Sequence, residues 1–399
     1  MDAIDRLLDE AESGLSLIRD RSALRFTFIP DKIQHRDNEL TQVTQSLLPI
    51  LKQSRPSNLL VYGKPGTGKT LVVRKVISKI QKRVEVSNFP IKLVYTNSKV
   101  ETTLYGLLLN FGRQLNLSEK ELPWTGISIS EVFRRILDVI DGKRLNVVLV
   151  IDEIDFLVKL VTKGNKDILY HITRANERLT NGSLTLVGIS NNLTFKDHLD
   201  PRVISTLGEE EVVFTSYTIP QLLSIIQERV NMAFDRNVVD DATLNLCAAY
   251  AGREHGDARR AIDLIRVAGE IAERDQSTSV QPNHIEEALR KIEEDKETAA
   301  IKSYPLHEKL LILSVMRTDG STTGGIYTTY KEMCKKIQQK ELSYRRITQM
   351  LSEIEMSGII SGRLIHQGIH GNTKKFKLTI SQNIVKDTLY IDDTLKELF

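Results

Sequence analysis

Apolar positions along the chain change period near residue 217. Before it, short apolar runs alternate with helical patterns. From Asn58 an apolar strand, Leu59 to Tyr62, leads through a Gly-rich loop into an amphipathic helix from about Lys69 to Lys82. A second strand is expected at Ile91 to Thr96, then helical regions from about Glu101 to Asn116 and from Ser130 to Ile140. Val147 to Ile151 is an unbroken apolar run, the pattern of a strand buried on both faces of a parallel sheet. Further strands are expected at Leu184 to Ile189 and Glu211 to Phe214. Strands alternating with helices predict a doubly wound α/β domain over residues 1–216. After Tyr217 the strands stop. Helical periodicity over roughly 219–234, 241–252, 256–274 and 282–294 predicts a small all-α domain, 217–300. The charged stretch Glu293 to Glu297 and the following Lys302-Ser303-Tyr304-Pro305 suggest a linker or bent junction. The remainder, 301–399, reads as three helices and then two short strands around Gly368 to Asn372.

Length agrees with this division, since 399 residues exceed one ordinary core. A chain that is 41% hydrophobic and 27% charged belongs with folded rather than disordered proteins. No run approaches the roughly 20 apolar residues that span a bilayer, and Met1 to Asp20 carries acidic residues at helical spacing without an apolar signal core. The chain is therefore expected in the cytoplasm, with no membrane contact. Cys247 and Cys334 have no metal-ligand spacing around them and read as buried free thiols. The net charge of +3 conceals an asymmetry: residues 301–386 hold 14 Lys/Arg against 6 Asp/Glu, so a +8 segment follows a body of −5. A basic end on an acidic body suggests that this end meets a polyanion.

Gly63-Lys64-Pro65-Gly66-Thr67-Gly68-Lys69-Thr70 matches G-x-x-x-x-G-K-[ST] between an expected strand and an expected helix. Glycines there let backbone N–H groups face phosphate oxygens, assisted by the helix N-terminus that Lys69, Thr70 and Leu71 open. Lys69 supplies positive charge to the β- and γ-phosphates, and the Thr70 hydroxyl can ligate Mg²⁺. Val147 to Asp155, VVLVIDEID, provides a carboxylate at the tip of a buried strand: Asp152 for Mg²⁺ and Glu153 as general base. Asp155 reads as a cap of the next segment. The cofactors expected are ATP or ADP with Mg²⁺. Asn191, after the fourth strand, either orients water near the γ-phosphate or forms a turn with Asn192. Arg202 is either a finger toward a neighbouring subunit's nucleotide or a surface ion pair. Arg259 opens an expected lid helix and can reach back to the phosphates.

Between Ser343 and Gly358, Ile347, Met350, Leu351 and Ile354 share one helix face, leaving Arg345, Arg346, Gln349 and Ser352 away from it. Ser343 and Gly358 are suited to its two ends. Arg363 and the return strand Lys374-Lys375-Phe376-Lys377-Leu378 complete a basic hairpin. Three helices followed by such a hairpin describe a winged helix, with the helix in the major groove and the hairpin on flanking phosphates.

From about residue 26 to residue 380 the chain resembles the archaeal replication-initiator family of AAA+ proteins, relatives of eukaryotic origin-recognition and helicase-loader subunits. The resemblance rests on Phe28-Ile29-Pro30, His35-Arg36-Asp37, the phosphate loop, VIDEID, Gly188-Ile189-Ser190-Asn191-Asn192-Leu193 and LDPRVISTLGEEEVVF. It continues through Tyr217-Thr218, Gln221-Leu222, GDARRAID and YRRITQMLSEIEMSGII with its wing. It implies an AAA+ P-loop core, an all-α lid and a C-terminal winged helix, with a helical insertion at about 105–133. It places Ile33, His35 and Arg36 by the adenine, with Tyr217 and Arg229 of the lid closing the pocket. Asn191 becomes sensor 1, Arg202 the inter-subunit finger and Arg259 sensor 2. The insertion would bring Thr125 and Gly126 near the DNA backbone, although it has few basic residues, Arg113 and Lys120 among them. Ile204 stands where many relatives carry a basic residue. The function implied is an ATP-dependent initiator: it binds double-stranded origin DNA, helps recruit the replicative helicase and hydrolyses ATP slowly as a switch. A paralogous initiator on adjacent DNA is a further expected partner, and the chain would associate with the nucleoid. A branch-migration motor and a signalling-ATPase regulator of transcription share the core and winged helix and stay open as alternatives.

Overall fold

The computed structural model describes residues 16–101, 103–161, 168–194, 199, 201–253, 256–366 and 372–399. Residues 1–15, Asp200 and the hairpin tip expected at Gly368 lie outside them. The chain forms two compact units, Met1–Ile285 and Glu286–Phe399.

In the first unit, α1 (Asp37–Leu47) precedes β1 (Leu59–Gly63), α2 (Lys69–Ser87), β2 (Ile91–Asn97), α3 (Leu104–Gln114), α4 (Ile129–Gly142) and β3 (Asn146–Asp152). Next come α5 (Ile154–Val161), α6 (Ile168–Thr173), β4 (Ser183–Ser190), α7 (Pro201–Leu207) and β5 (Glu210–Phe214). The five strands are parallel in the order β2-β3-β4-β1-β5. Alternation along β3 explains why its sequence is apolar throughout. Val147, Leu149 and Ile151 pack in the core that holds α3 and α4, whereas Val148 and Val150 pack in the core that holds α1 and α2. Each face of the sheet therefore needs its own apolar set. Strand register brings three carboxyl ends together, with Tyr62 beside Ser190 and Asp152 beside Ile189. Ligands of open α/β sheets bind outside this edge.

The lid follows as α8 (Ile219–Ala233), α9 (Asp241–Arg253) and α10 (Ala258–Arg274). The segment before α1 returns to it: Ile18 bridges Phe234, and Asp20 N–H donates to the Ala233 carbonyl at 3.0 Å.

The helix expected to end at 294 continues as α11 (Pro282–Ser303), and the expected junction is a short bend at Tyr304-Pro305. Glu and Lys favour helix, so the charge run there is a solvated helical face. Pro305 instead begins α12 (Leu306–Thr318) as its N-cap. Then come α13 (Thr323–Lys336), α14 (Tyr344–Met356), the antiparallel pair β6 (Ile360–His366) and β7 (Asn372–Leu378), and α15 (Gln382–Tyr390). A short edge absent from the sequence reading joins the hairpin: Phe376 N–H donates to Ser321 O, and Gly320 N–H to Phe376 O, both at 3.0 Å. Ile312, Tyr330, Ile347 and Phe376 form part of one buried core, giving a winged helix. Both cysteines are buried and free, and burial pushes the Cys247 thiol up to about 12. Among the described residues no helix is long and apolar enough to cross a membrane.

Candidate functional site

The loop between β1 and α2 turns through positive φ at Gly66 (71°) and Gly68 (91°). A side chain at Gly66 would collide with the Asp257 carboxylate, and one at Gly68 with the Tyr217 hydroxyl. Glycine is thus required for conformation and for close approach. The lid rests on this loop, because Ala258 N–H at the start of α10 donates to Gly66 O at 3.2 Å. Lys69 is buried and donates to the Gly63 and Lys64 carbonyls at 2.8 and 2.7 Å. Burial, and then the Arg259 charge, pull its ammonium down to about 8 against the opposing pull of Asp152 and Asp257.

The β3 tip lies next to it. Thr70 Oγ1 donates to Asp152 Oδ2 at 3.0 Å, and Glu153 N–H to Asp152 Oδ1 at 2.9 Å. Glu153 has φ 53°, a left-handed conformation that costs a non-glycine residue energy, and its buried Oε2 has no hydrogen-bond partner among the described residues. A hydroxyl, a carboxylate and a second carboxylate oxygen without a partner make an oxygen donor set suited to Mg²⁺, which takes few protein ligands beside phosphate. Thr70 and Asp152 would hold it.

Around the loop lies a cleft. Its walls include Ile33, Gly66, Gly68, Thr70 and Leu71 from the base and Tyr217, Arg229 and Arg259 from the lid. Arg229 is buried, donates to Ala23 O at 3.2 Å and lies 4.5 Å from the Phe28 ring centroid; burial lowers its proton affinity. Burial also raises the Tyr217 phenol.

Several positions expected in the site are placed differently. His35 and Arg36 do not line the cleft. His35 Nε2 meets Ser224 Oγ at 2.5 Å, which ties the base to α8. Arg36 is buried behind the phosphate loop: it donates to Thr67 O at 3.0 Å and Thr215 O at 2.6 Å, pairs with Glu39 at 2.5 Å and stacks 4.0 Å from the Tyr217 ring centroid. It braces the loop. Asp155 is not a cap, since α5 already begins at Ile154. Its Oδ1 accepts from Ser190 Oγ at 3.1 Å and from Asn191 N–H at 3.4 Å, fastening the β4 tip. Asn191 is two residues beyond the partner of Asp152 in the sheet and does not line the cleft, while its neighbour Asn192 makes the turn by accepting from Thr194. Arg202 is exposed on α7, 5.2 Å from the Tyr170 ring centroid, and also lies outside the cleft lining. Gly63 and Pro65 belong to the loop, and the Thr67 hydroxyl closes it by donating to Lys64 O at 2.8 Å. Phe26, Phe28 and Arg74 line the cleft without having been singled out for it. The Phe28-Ile29-Pro30 motif says nothing of where its segment runs, and Arg74 lies on α2 with no motif of its own.

A second candidate surface is the basic face of the winged helix. Ser343 caps α14, and Ile347, Met350, Leu351 and Ile354 are buried, which leaves Arg345, Arg346 and Gln349 exposed. Gln349 donates to Glu353 at 2.9 Å, and Arg346 lies 3.9 Å from the same carboxylate. Arg345 has no side-chain partner among the described residues. On the hairpin, Arg363 pairs in register with Lys375, and Lys377 with Ser361. Alternation puts Arg363, Lys375 and Lys377 on one exposed side. Lys374 belongs to the other side: its ammonium is paired with Glu355 of α14 and lies 5.6 Å from the Phe376 ring centroid. In the first unit, Thr125 and Gly126 are exposed between α3 and α4, beside Trp124. Arg113 is committed there to the Leu117 and Leu122 carbonyls.

The Aeropyrum pernix ORC1 protein, solved in complex with DNA, matches with a TM-score of 0.87 at 38% identity over 96% of this chain and 100% of its own. An ORC1-type DNA replication protein of Cenarchaeum symbiosum is 61% identical over 100% of this chain and 97% of its own length. The chain belongs to the ORC1-type DNA replication proteins. Another such protein, from Thermococcus onnurineus, is 38% identical over 98% of this chain and 95% of its own. Three family models match the chain: an AAA domain over residues 52–194, a Cdc6 AAA+ ATPase-type lid domain over 223–290, and a CDC6 C-terminal winged helix domain over 299–388. The fold is that of an AAA+ ATPase with lid and winged helix, and the cleft described above lies in its ATPase part.

Proposed function

We propose that the chain is an ATP-dependent replication initiator. It binds double-stranded origin DNA, helps recruit or load the replicative helicase, and uses slow ATP hydrolysis as a switch. The observation that carries the reading is the cleft itself. Base and lid both line it, and the first turn of α10 touches the phosphate loop through Ala258 and Gly66. A triphosphate there would touch Lys69 from the base and Arg259 from the lid at once. ATP and ADP thus differ in what they hold together, which is what a ligand needs to bias a conformational equilibrium.

In this reading the loop amides and Lys69 would bind the phosphates, and Thr70 and Asp152 would hold Mg²⁺, which would neutralise charge on the phosphate oxygens. Glu153 takes a proton from the attacking water, and its partnerless Oε2 leaves it free to do so. Asn191 orients that water, and Arg202 serves a neighbouring copy or paralogue. Ile33, Tyr217 and Arg229 enclose the nucleoside. Arg345, Arg346 and Gln349 read base edges, while Arg363, Lys375, Lys377, Thr125 and Gly126 meet the backbone. The DNA assignment is supported by the Aeropyrum pernix ORC1 protein, whose structure was solved with DNA. Glu153→Gln should retain ATP binding and lose turnover in a single-turnover assay; normal hydrolysis would remove Glu153 as the base. Footprints confined to promoters, away from replication start sites, would overturn initiation.

A further inference from the structure

Tyr95, on the edge strand β2, is fastened at three points. Its backbone N–H donates to Gln114 Oε1 at 3.2 Å, and its carbonyl accepts from Gln114 Nε2 at 2.9 Å, so one side chain of α3 brackets the residue. The Arg74 guanidinium of α2 stacks 4.3 Å from its ring centroid. Its hydroxyl donates to Asp152 Oδ2 at 2.5 Å. That carboxylate oxygen therefore accepts from Tyr95 and Thr70 together, while Oδ1 is taken by the Glu153 N–H. The register explains how this happens: Asn97 of β2 lies opposite Asp152, and Tyr95, two residues earlier, opposite Val150. A tyrosine is long enough to cover that offset along the strands. Arg74 is itself exposed on the wall of the nucleotide cleft, one turn after Thr70.

We infer that Tyr95 is a positioning residue for the divalent cation: it fixes the Asp152 carboxylate in its orientation before any metal arrives, and Arg74 keeps its ring in place. The inference rests on the reading of the cleft as an Mg²⁺–nucleotide site. A ligating carboxylate fixed by an outer hydrogen bond binds metal more tightly, and losing such a bond usually costs about 10–100-fold in metal affinity. Thr70 alone cannot supply the same restraint, because its hydroxyl is itself an expected ligand.

The test uses the full chain with Mn²⁺ as the probe. Free Mn²⁺ is counted by electron paramagnetic resonance in the presence of saturating ADP, and ADP affinity is measured separately in EDTA. Tyr95→Phe should raise the Mn²⁺ concentration for half-saturation about tenfold while leaving metal-free ADP affinity within about twofold. Tyr62→Phe is the control, since it removes a strand tyrosine hydroxyl that donates to Glu211 rather than to Asp152; it should change neither. Arg74→Met keeps the hydroxyl but frees the ring, and should raise the Mn²⁺ requirement by a smaller factor. It carries the test alone should Tyr95→Phe not fold. Unchanged Mn²⁺ binding in these two variants overturns the role of Tyr95. A wild-type chain that binds no ADP at all overturns the cleft reading beneath it, and the two failures are told apart by the EDTA titration.

Discussion

The nucleotide cleft and the winged-helix surface both present cations, yet they hold them in opposite ways. In the cleft and behind it, Lys69, Arg36 and Arg229 are buried and each donates to backbone carbonyls. On the winged helix, Arg345, Arg363, Lys375 and Lys377 are exposed and have no side-chain partners among the described residues. A buried cation is costly to desolvate, so the fold must satisfy it in advance, and the result is a rigid, specific phosphate site. An exposed cation keeps its water and its freedom until a polyanion releases counterions, so affinity there accumulates from many small contributions. One region should fail when a single side chain goes. The other should weaken by degrees.

Arg36→Met is the sharpest way to break this contrast. It strips the buried Thr67 carbonyl and the part-buried Glu39 of their partner, and leaving a buried acceptor unsatisfied costs about 1–3 kcal/mol. The denaturant midpoint should fall accordingly and nucleotide affinity with it; a variant that unfolds like wild type would show that the phosphate loop needs no brace. Arg345→Ala comes next. Specific DNA binding should weaken by about 1–3 kcal/mol if the side chain reaches a base edge, measured as a difference between cognate and scrambled duplex. The smallest effect separates two adjacent lysines. Lys375→Ala should lower affinity for any duplex and reduce the salt slope by about 1. Lys374→Ala should leave that slope alone and loosen the hairpin on α14, since its ammonium is already spent on Glu355. Equal slopes for the two would mean that the ion pair opens on DNA.

The phosphate loop, the apolar β3 run and the capped α14 were legible because each is a local pattern whose meaning is complete within about a dozen residues. Arg36, Asp155 and Lys374 were not, for a common reason. Each was read by the motif around it, but its partner lies far away in sequence or across a turn: Thr215 for Arg36, Ser190 for Asp155, Glu355 for Lys374. Tyr95 gave no signal, since a tyrosine on an edge strand is ordinary and only strand register brings it to Asp152. The continuation of α11 to Ser303 was hidden by a charge run, which resembles a linker as much as it resembles the wet side of a helix.

The left-handed backbone at Glu153 has an evolutionary corollary. A residue with a β-carbon in that conformation forgoes on the order of 1 kcal/mol of native-state stability that glycine would recover. Drift toward a tougher protein would accordingly favour losing the very carboxylate proposed as the general base. Descendants released from hydrolysis should be recognisable by a glycine or asparagine at this one corner of an otherwise intact motif.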